Sequence, residues 1–167
     1  MAAGATYEPI ATQTLASAAA TITFSSIAAT YTDLRVVLVG IDSASGGVRM
    51  TYNGDTSALY SNTQLYGAFS AAYSGRSSSI AYCDLSVLGL YSTPALITVD
   101  IFSYAGSTFK TNLVTFSGDY NAASTDGVAR VVNLYRSTNA ITSIELKLSA
   151  GSYDTGTTAT LYGIKAA

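Results

Sequence analysis

Alternation of apolar and polar residues with a period of two recurs along the chain and constrains the fold more than any other feature. In "GGVRMTYNGDT", Val48, Met50 and Tyr52 alternate with Arg49 and Thr51 ahead of an Asn-Gly-Asp turn. A strand points successive side chains to opposite faces, so this period is typical of a half-buried β-strand. The pattern predicts that the chain folds into β-sheet.

Further segments of the same kind follow, with clusters of Gly, Ser, Asn and Asp between them. "ALITVDIFSYA" places Ile97, Val99 and Ile101 on one face. The later segments are "FKTNLVTFSGDY", "GVARVVNLYRS", "AITSIELKLSA" and "TTATLYGIKAA". About 8–10 short strands with turns every ~8–12 residues predict an all-β chain, an antiparallel β-sandwich of jelly-roll type.

The apolar stretch from Thr21 to Gly40, "TITFSSIAATYTDLRVVLVG", could at first be mistaken for a membrane span. A transmembrane helix needs about 20 consecutive apolar residues, and Thr23, Asp33 and Arg35 interrupt this one. We predict two strands and a turn-rich crossover. Because apolar residues fall on both faces of "LRVVLVGI", the second strand is predicted to be central and buried on both faces over most of its length.

The chain of 167 residues contains no linker, charge run or low-complexity tail, so a single domain over residues 1–167 is predicted. The region of about residues 56–93 mixes Tyr, Ser and Gly with weak periodicity. It is predicted to form long irregular loops with one short strand near Ile80 to Asp84. The first residues lack a basic segment and a continuous apolar core, which predicts a mature fold made without secretory export.

Charge is scarce in this chain. Charged residues make up 11% of the sequence and the formal net charge is −2, so little repulsion keeps copies apart. A Tyr-rich surface of low charge suits a subunit that stays in contact with others, and a homo-oligomer, a trimer or a dimer, is predicted. The 8 Lys and Arg residues are scattered without a basic stripe, so a nucleic acid is not an expected partner. Since no membrane span is predicted, a membrane is not expected either.

Catalytic and metal-binding residues are also scarce. The sequence has no His, which removes the commonest general base and metal ligand together. Its single cysteine, Cys83, cannot form an internal disulfide and is expected to be a small apolar residue in a strand. We predict that the protein is not an enzyme and uses no cofactor or metal.

Carboxylates leave two alternatives open. A polysaccharide hydrolase needs only two acids in a cleft, and Glu8, Asp100, Asp119 and Glu145 are the candidates. Asp119 and Asp126 could together bind Ca²⁺, although their loop does not match the spacing of a calcium loop. Since most acids stand singly beside turn residues, we interpret them as turn formers and solvated edges.

Tyrosines with one arginine crowd the region predicted to be irregular. Tyrosine offers a large contact area at low entropic cost, and Tyr with Arg is enriched on recognition surfaces. The alternative is that the rings cover the ends of the sandwich and bond locally. The predicted interaction surface comprises Tyr60, Tyr66, Tyr73, Arg76 and Tyr91.

Three segments in order carry a resemblance to a known group of proteins. They are "TITFSSIAATYTDLRVVL", "RMTYNGDTSALYS" and "AITSIELKLSAGSYDTGTTATLYGIK". This order resembles small virion structural proteins of tailed bacteriophages. The resemblance implies a capsid decoration protein, or a subunit of a tail or head fibre, and it brings no catalytic residues.

The expected function is therefore that of a capsid decoration, or cement, protein. It would bind the major capsid protein or other virion subunits, in particles assembled in the host cytoplasm, where structural disulfides are rare. The alternative is a receptor- or glycan-binding protein of a tail or head fibre, with Tyr73, Arg76 and Tyr91 as sugar contacts.

Overall fold

Two antiparallel β-sheets build the protein. The structure is a computed structural model that describes residues 6–68, 70–86, 88–120 and 127–165, and this described part contains twelve strands. Within it, no helix is long and apolar enough to cross a membrane. The strands are β1 (Tyr7–Thr14), β2 (Thr21–Phe24), β3 (Asp33–Gly40), β4 (Val48–Tyr52), β5 (Tyr60–Ala68), β6 (Ala71–Ile80), β7 (Cys83–Asp84), β8 (Ala95–Phe102), β9 (Lys110–Gly118), β10 (Gly127–Tyr135), β11 (Ile144–Leu148) and β12 (Thr158–Ile164).

The larger sheet has eight strands in the order β1-β12-β3-β8-β9-β10-β5-β6. The smaller has four strands in the order β2-β11-β4-β7. Every neighbouring pair is antiparallel. This architecture confirms the predicted class, an all-β antiparallel sandwich, and its twelve described strands exceed the 8–10 that were predicted.

The core lies between the two sheets and follows the alternation in the sequence. Val48, Met50 and Tyr52 of β4 are completely buried, as their spacing predicted. Ile97 and Val99 of β8 lie on the opposite wall and are equally buried. Removing these apolar faces from water is the main force that holds the sheets together.

The stretch from Thr21 to Gly40 forms β2 and β3, one strand in each sheet. The prediction of two strands and a crossover is confirmed. The further prediction that β3 is buried on both faces was wrong. Leu34, Val36 and Leu38 are buried, whereas on the other face Arg35 and Val37 are half-buried and Val39 is 38% exposed.

The region of residues 56–93 is more regular than its sequence suggests, and the prediction of long loops there was wrong. It contains the hairpin of β5 and β6, nine and ten residues long, and the two-residue β7. Ser, Gly and Ala supply little contrast in hydrophobicity, and β6 is exposed over most of its length. The strand is therefore defined by backbone hydrogen bonds that the alternation of side chains does not reveal.

The predicted Asn-Gly-Asp turn closes β4. Asn53 and Gly54 both have positive φ, 55° and 66°, which Asn and Gly tolerate best. The Asp55 amide donates to the Tyr52 carbonyl at 2.9 Å. The Asn53 side chain also accepts hydrogen bonds from the amides of Thr142 and Ser143, so the turn fixes the loop that precedes β11.

Asp55 joins this turn to the core. Its carboxylate accepts hydrogen bonds from the Ser57 hydroxyl and amide and from the Tyr135 hydroxyl, the last at 2.7 Å. These three bonds favour the charged form, so they lower the pKa of Asp55 below the ordinary 3.8, the Ser57 hydroxyl most strongly. The carboxylate therefore stabilises the folded state only while it is ionised.

We expect Asp55→Asn to make the free energy of unfolding depend less on pH below about pH 4. A lowered folded-state pKa gives stability that is complete above the ordinary pKa of 3.8 and is lost as the pH falls through the folded value. Urea unfolding between about pH 6 and pH 2 measures this dependence in both proteins. Equal slopes below pH 4 in both proteins would show that Asp55 does not contribute.

Candidate interaction face

The outward side of the eight-stranded sheet carries exposed large apolar side chains on four neighbouring or near-neighbouring strands, β3, β8, β10 and β5. We call this side the open face; it holds the outward residues of β3, β8, β9, β10 and β5. Six of its large apolar side chains are between 38% and 62% exposed. Scattered apolar residues are normal on a surface, but a contiguous set marks an interaction site. The six are Val39, Leu65, Leu96, Phe102, Val128 and Val132.

Strand register places these side chains in rows across the sheet. One row runs from Val39 through Leu96 and Ser117 to Val128, on four successive strands. The next row places Leu65 beside Arg130, again on neighbouring strands. Apolar and hydroxyl-bearing side chains thus share the same surface, so a partner would meet a mixed and mainly apolar lining.

The open face is hollowed near the end formed by β5, β6, β9 and β10. Two adjoining depressions of about 860 Å³ and 510 Å³ lie there. Gly67, Ala72, Ser117 and Val128 line both of them. Because three of these four residues have small side chains, the sheet surface can be approached closely at this point.

Charges on the open face are mostly paired within it. The Arg35 guanidinium contacts the Asp100 carboxylate through Nε at 2.5 Å and through Nη2 at 2.9 Å. These hydrogen bonds raise the pKa of the Arg35 guanidinium above its ordinary value. Arg130 donates to the Thr115 hydroxyl on the adjacent strand. A partner that covered the face would therefore bury few charges that lack a local bond.

The outward side of the four-stranded sheet has the opposite character. It carries hydroxyl and charged side chains, and the Arg49 guanidinium lies 4.2 Å from the centre of the Tyr82 ring. Such a composition is typical of a solvated sheet surface. The two outer sides of the sandwich therefore differ, and the open face is the apolar one. The residues of the polar side are Thr21, Thr23, Arg49, Thr51, Asp84, Glu145 and Lys147.

Tyr60 does not belong to a surface, so its predicted role in recognition was wrong. It is completely buried, and its ring stacks on that of Tyr135 with the centroids 4.6 Å apart. The Tyr52 ring lies beside both. The Tyr60 hydroxyl donates to the Asp55 carbonyl at 3.0 Å and accepts from the Tyr52 amide at 3.2 Å.

Of the other predicted surface residues, Tyr66 and Tyr73 lie together, whereas Tyr91 lies elsewhere and Arg76 is on the other face of β6. Tyr66 and Tyr73 stack across the hairpin with centroids 5.1 Å apart, and Tyr73 is 42% exposed. Arg76 is exposed on β6. Its side chain is on the same side of the sheet as the open face, and the Tyr73 ring is on the other side. Tyr91 lies in the loop between β7 and β8. Its ring packs on that of Tyr120, which follows β9, with the centroids 4.6 Å apart. The structure therefore does not bring the predicted set together.

The open face itself was missed in the sequence. The available signal was the apolar residues at positions where the alternation calls for polar ones. Leu96 and Phe102 on β8 and Val128 and Val132 on β10 are four such positions. Together with the apolar second face of β3, they mark one side of one sheet.

Of the four acids considered for catalysis, Asp119 alone lines the larger depression, and the other three lie elsewhere. Glu8 pairs with Lys165 at 2.7 Å, Asp100 pairs with Arg35, and Glu145 lies on the polar side of the smaller sheet. Among the described residues, no three metal-binding side chains cluster. The proposed calcium pair is not tested, because Asp126 lies outside the described residues.

Cys83 is buried in β7, as expected of a small apolar residue in a strand. Its sulfur accepts a hydrogen bond from Asn112 Nδ2 at 3.2 Å. Burial raises the pKa of the Cys83 thiol to about 12, so the reactive thiolate is scarce at neutral pH.

Comparisons with known proteins give distant structural likenesses. No protein-family model and no curated protein matches the chain. A toad ovary galectin in complex with thio-digalactose is 10% identical, with 86% of this chain and 98% of that one covered and a TM-score of 0.36. A Caenorhabditis elegans galectin is 12% identical, with 90% and 94% covered and a TM-score of 0.35. A Shewanella oneidensis protein of unknown function is 10% identical, with 100% and 82% covered and a TM-score of 0.25.

Proposed function

We propose that the chain is a non-enzymatic virion structural protein, a capsid decoration protein that attaches to the phage head through the open face. The observation that carries the proposal is the contrast between the two outer sides of the sandwich. One presents exposed valines, leucines and a phenylalanine, and the other presents threonines and charged side chains. A contiguous apolar side on a folded domain is typical of a surface that a partner covers.

The virion role rests on the three ordered segments that resemble phage structural proteins. A head offers many identical binding positions in regular array. Modest contacts at each position can then hold the shell of decoration subunits, since linked subunits gain from multiplicity. The partner would be the major capsid protein, or another virion subunit, with an apolar surface that complements the rows of the open face.

We expect Val128→Glu to reduce incorporation into particles by about tenfold or more. Val128 is 62% exposed and lines both depressions, so the isolated protein should tolerate the carboxylate while a bound partner would desolvate it. Thr21→Glu is the matched control: it adds the same charge on the polar side, opposite Lys147. Copies per purified particle are counted by quantitative mass spectrometry.

Two outcomes would contradict this assignment. Equal loss of incorporation in the Val128 and Thr21 variants would show that binding to the particle does not depend on the open face. Immunogold label on tail tips, with none on heads, would exclude decoration and favour the fibre alternative.

A further inference from the structure

The eight-stranded sheet has two edge strands, and β1 is the protected one. Pro9 lacks an amide proton, and the register slips between Pro9 and Ala11. The carboxylate of Glu8, on the same strand, pairs with Lys165 at 2.7 Å. Proline, a bulge and charge are the usual devices that prevent another strand from adding to an edge.

The opposite edge, β6, lacks these devices over most of its length. Its ten residues, "AAYSGRSSSI", contain no proline and one charged side chain, Arg76. It pairs with β5 in unbroken register from Ala71 to Ser78, and irregularity begins only at Ser79, where φ is 55°. In the described part of the chain, β5 is the one strand bonded to it.

We infer that β6 pairs antiparallel with β6 of a second copy, so that two eight-stranded sheets join into one of sixteen strands. A two-fold axis perpendicular to the sheet keeps each face continuous, so residues of equal parity stand opposite one another. The regular stretch from Ala71 to Ser78 has its middle at Ser74 and Gly75. With the axis at Ser74, nearly all of that stretch is paired.

Side chains in this register complement each other. Tyr73 of one copy stands opposite Gly75 of the other, and an aromatic ring beside a strand glycine is a favourable cross-strand pair. Arg76 stands opposite Ala72, so the single charge of the strand does not face its own copy. This self-complementarity favours a second copy over an unrelated strand.

Pairing at β6 would also place the two open faces on one side of the joined sheet. The inference concerns the edge of the sheet and not the open face, so it stands separately from the proposed function. Loss of pairing and loss of particle incorporation are distinguishable, because the first is measured on the purified protein alone.

The first test is the mass of the protein in solution. Sedimentation over a range of concentrations should give twice the chain mass of 17.2 kDa for the wild type. Ala72→Lys places like charges beside Arg76 at two symmetric positions, and we expect it to weaken dimerisation by about tenfold or more. Thr12→Lys adds the same charge on the outward side of β1 and should leave the dimer intact.

The second test fixes the register by cross-linking. Ser74→Cys places two thiols at the axis, where cross-strand Cβ atoms come within disulfide reach, and oxidation should yield a covalent dimer. Ser78→Cys, on the same strand and face, should stay uncross-linked because its copies lie far apart. The native Cys83 is buried and does not compete.

Three results would overturn the inference. The first is a single-chain mass for the wild type at every concentration. The second is a dimer that survives Ala72→Lys but is lost with Thr12→Lys, which would place the interface at β1. The third is equal cross-linking of the Ser74 and Ser78 variants.

Discussion

Tyr60→Ala should lower the free energy of unfolding by about 3–5 kcal/mol, in the range found when a buried aromatic ring is truncated. The ring is fully buried and stacks on Tyr135, with Tyr52 beside both. The substitution leaves a cavity among three rings that cannot collapse readily, since each belongs to a different strand. It also removes the hydroxyl that bonds the turn at Asp55.

Two control variants separate the contributions. Tyr60→Phe keeps the ring and removes the two hydrogen bonds of the hydroxyl, so a loss of about 1–3 kcal/mol is expected. Tyr73→Ala truncates a ring that is 42% exposed, and should cost about 1 kcal/mol or less at concentrations where the chain is monomeric. Urea unfolding measures all three. A similar loss for Tyr60→Ala and Tyr73→Ala would contradict the core assignment.

The fold class could be predicted because each core strand buries one face between the sheets, which leaves an alternation of apolar and polar residues in the sequence. Val48, Met50 and Tyr52 alternate with polar residues, and their burial between the sheets follows from that alternation. The hairpin of β5 and β6 could not be predicted in this way, because β6 has no buried face to generate a pattern. The burial of Tyr60 was equally hidden. Its stacking partner, Tyr135, comes from a strand 75 residues away in the sequence.

The open face shows where a pattern of hydrophobicity stops being informative. Apolar residues on both sides of β3 predicted a strand buried on both faces, yet Val39 is exposed. The sequence alone shows that one face of a strand is apolar. It does not record whether the cover comes from the same chain or from another one, which is the distinction that the proposed function depends on.

A row of three asparagines crosses the inner face of the eight-stranded sheet and also escaped prediction. Asn62, Asn133 and Asn112 stand opposite one another on β5, β10 and β9, and all three are buried. Polar residues at inward positions break the alternation that identified the strands. They are accommodated because most of their polar atoms are bonded: Asn112 donates to the Tyr52 hydroxyl at 2.7 Å and to the Cys83 sulfur at 3.2 Å.

Asn133→Leu is expected to cost about 3 kcal/mol or more, because it would leave three polar groups of neighbouring residues without their bonds. Asn133 accepts from the Asp84 amide at 2.9 Å, and donates to the Asp84 carbonyl at 3.0 Å and to Asn112 Oδ1 at 2.9 Å. In the described part of the chain, β7 pairs with β4 at Asp84 and Cys83, and the Leu85 amide adds one bond to the Val48 carbonyl. The Asn133 side chain is therefore a main link between β7 and the larger sheet.

Asn62→Leu is the matched control for that variant, in the same row and with the same change in shape. Among the described residues, the buried Asn62 carbonyl oxygen has no hydrogen-bond partner, so its replacement removes a penalty and should change stability by less than about 1 kcal/mol. Urea unfolding should separate the two variants clearly, and hydrogen exchange should show early opening of β7 only in Asn133→Leu. Equal losses in both would mean that side-chain volume, and not the bonds to β7, determines the cost.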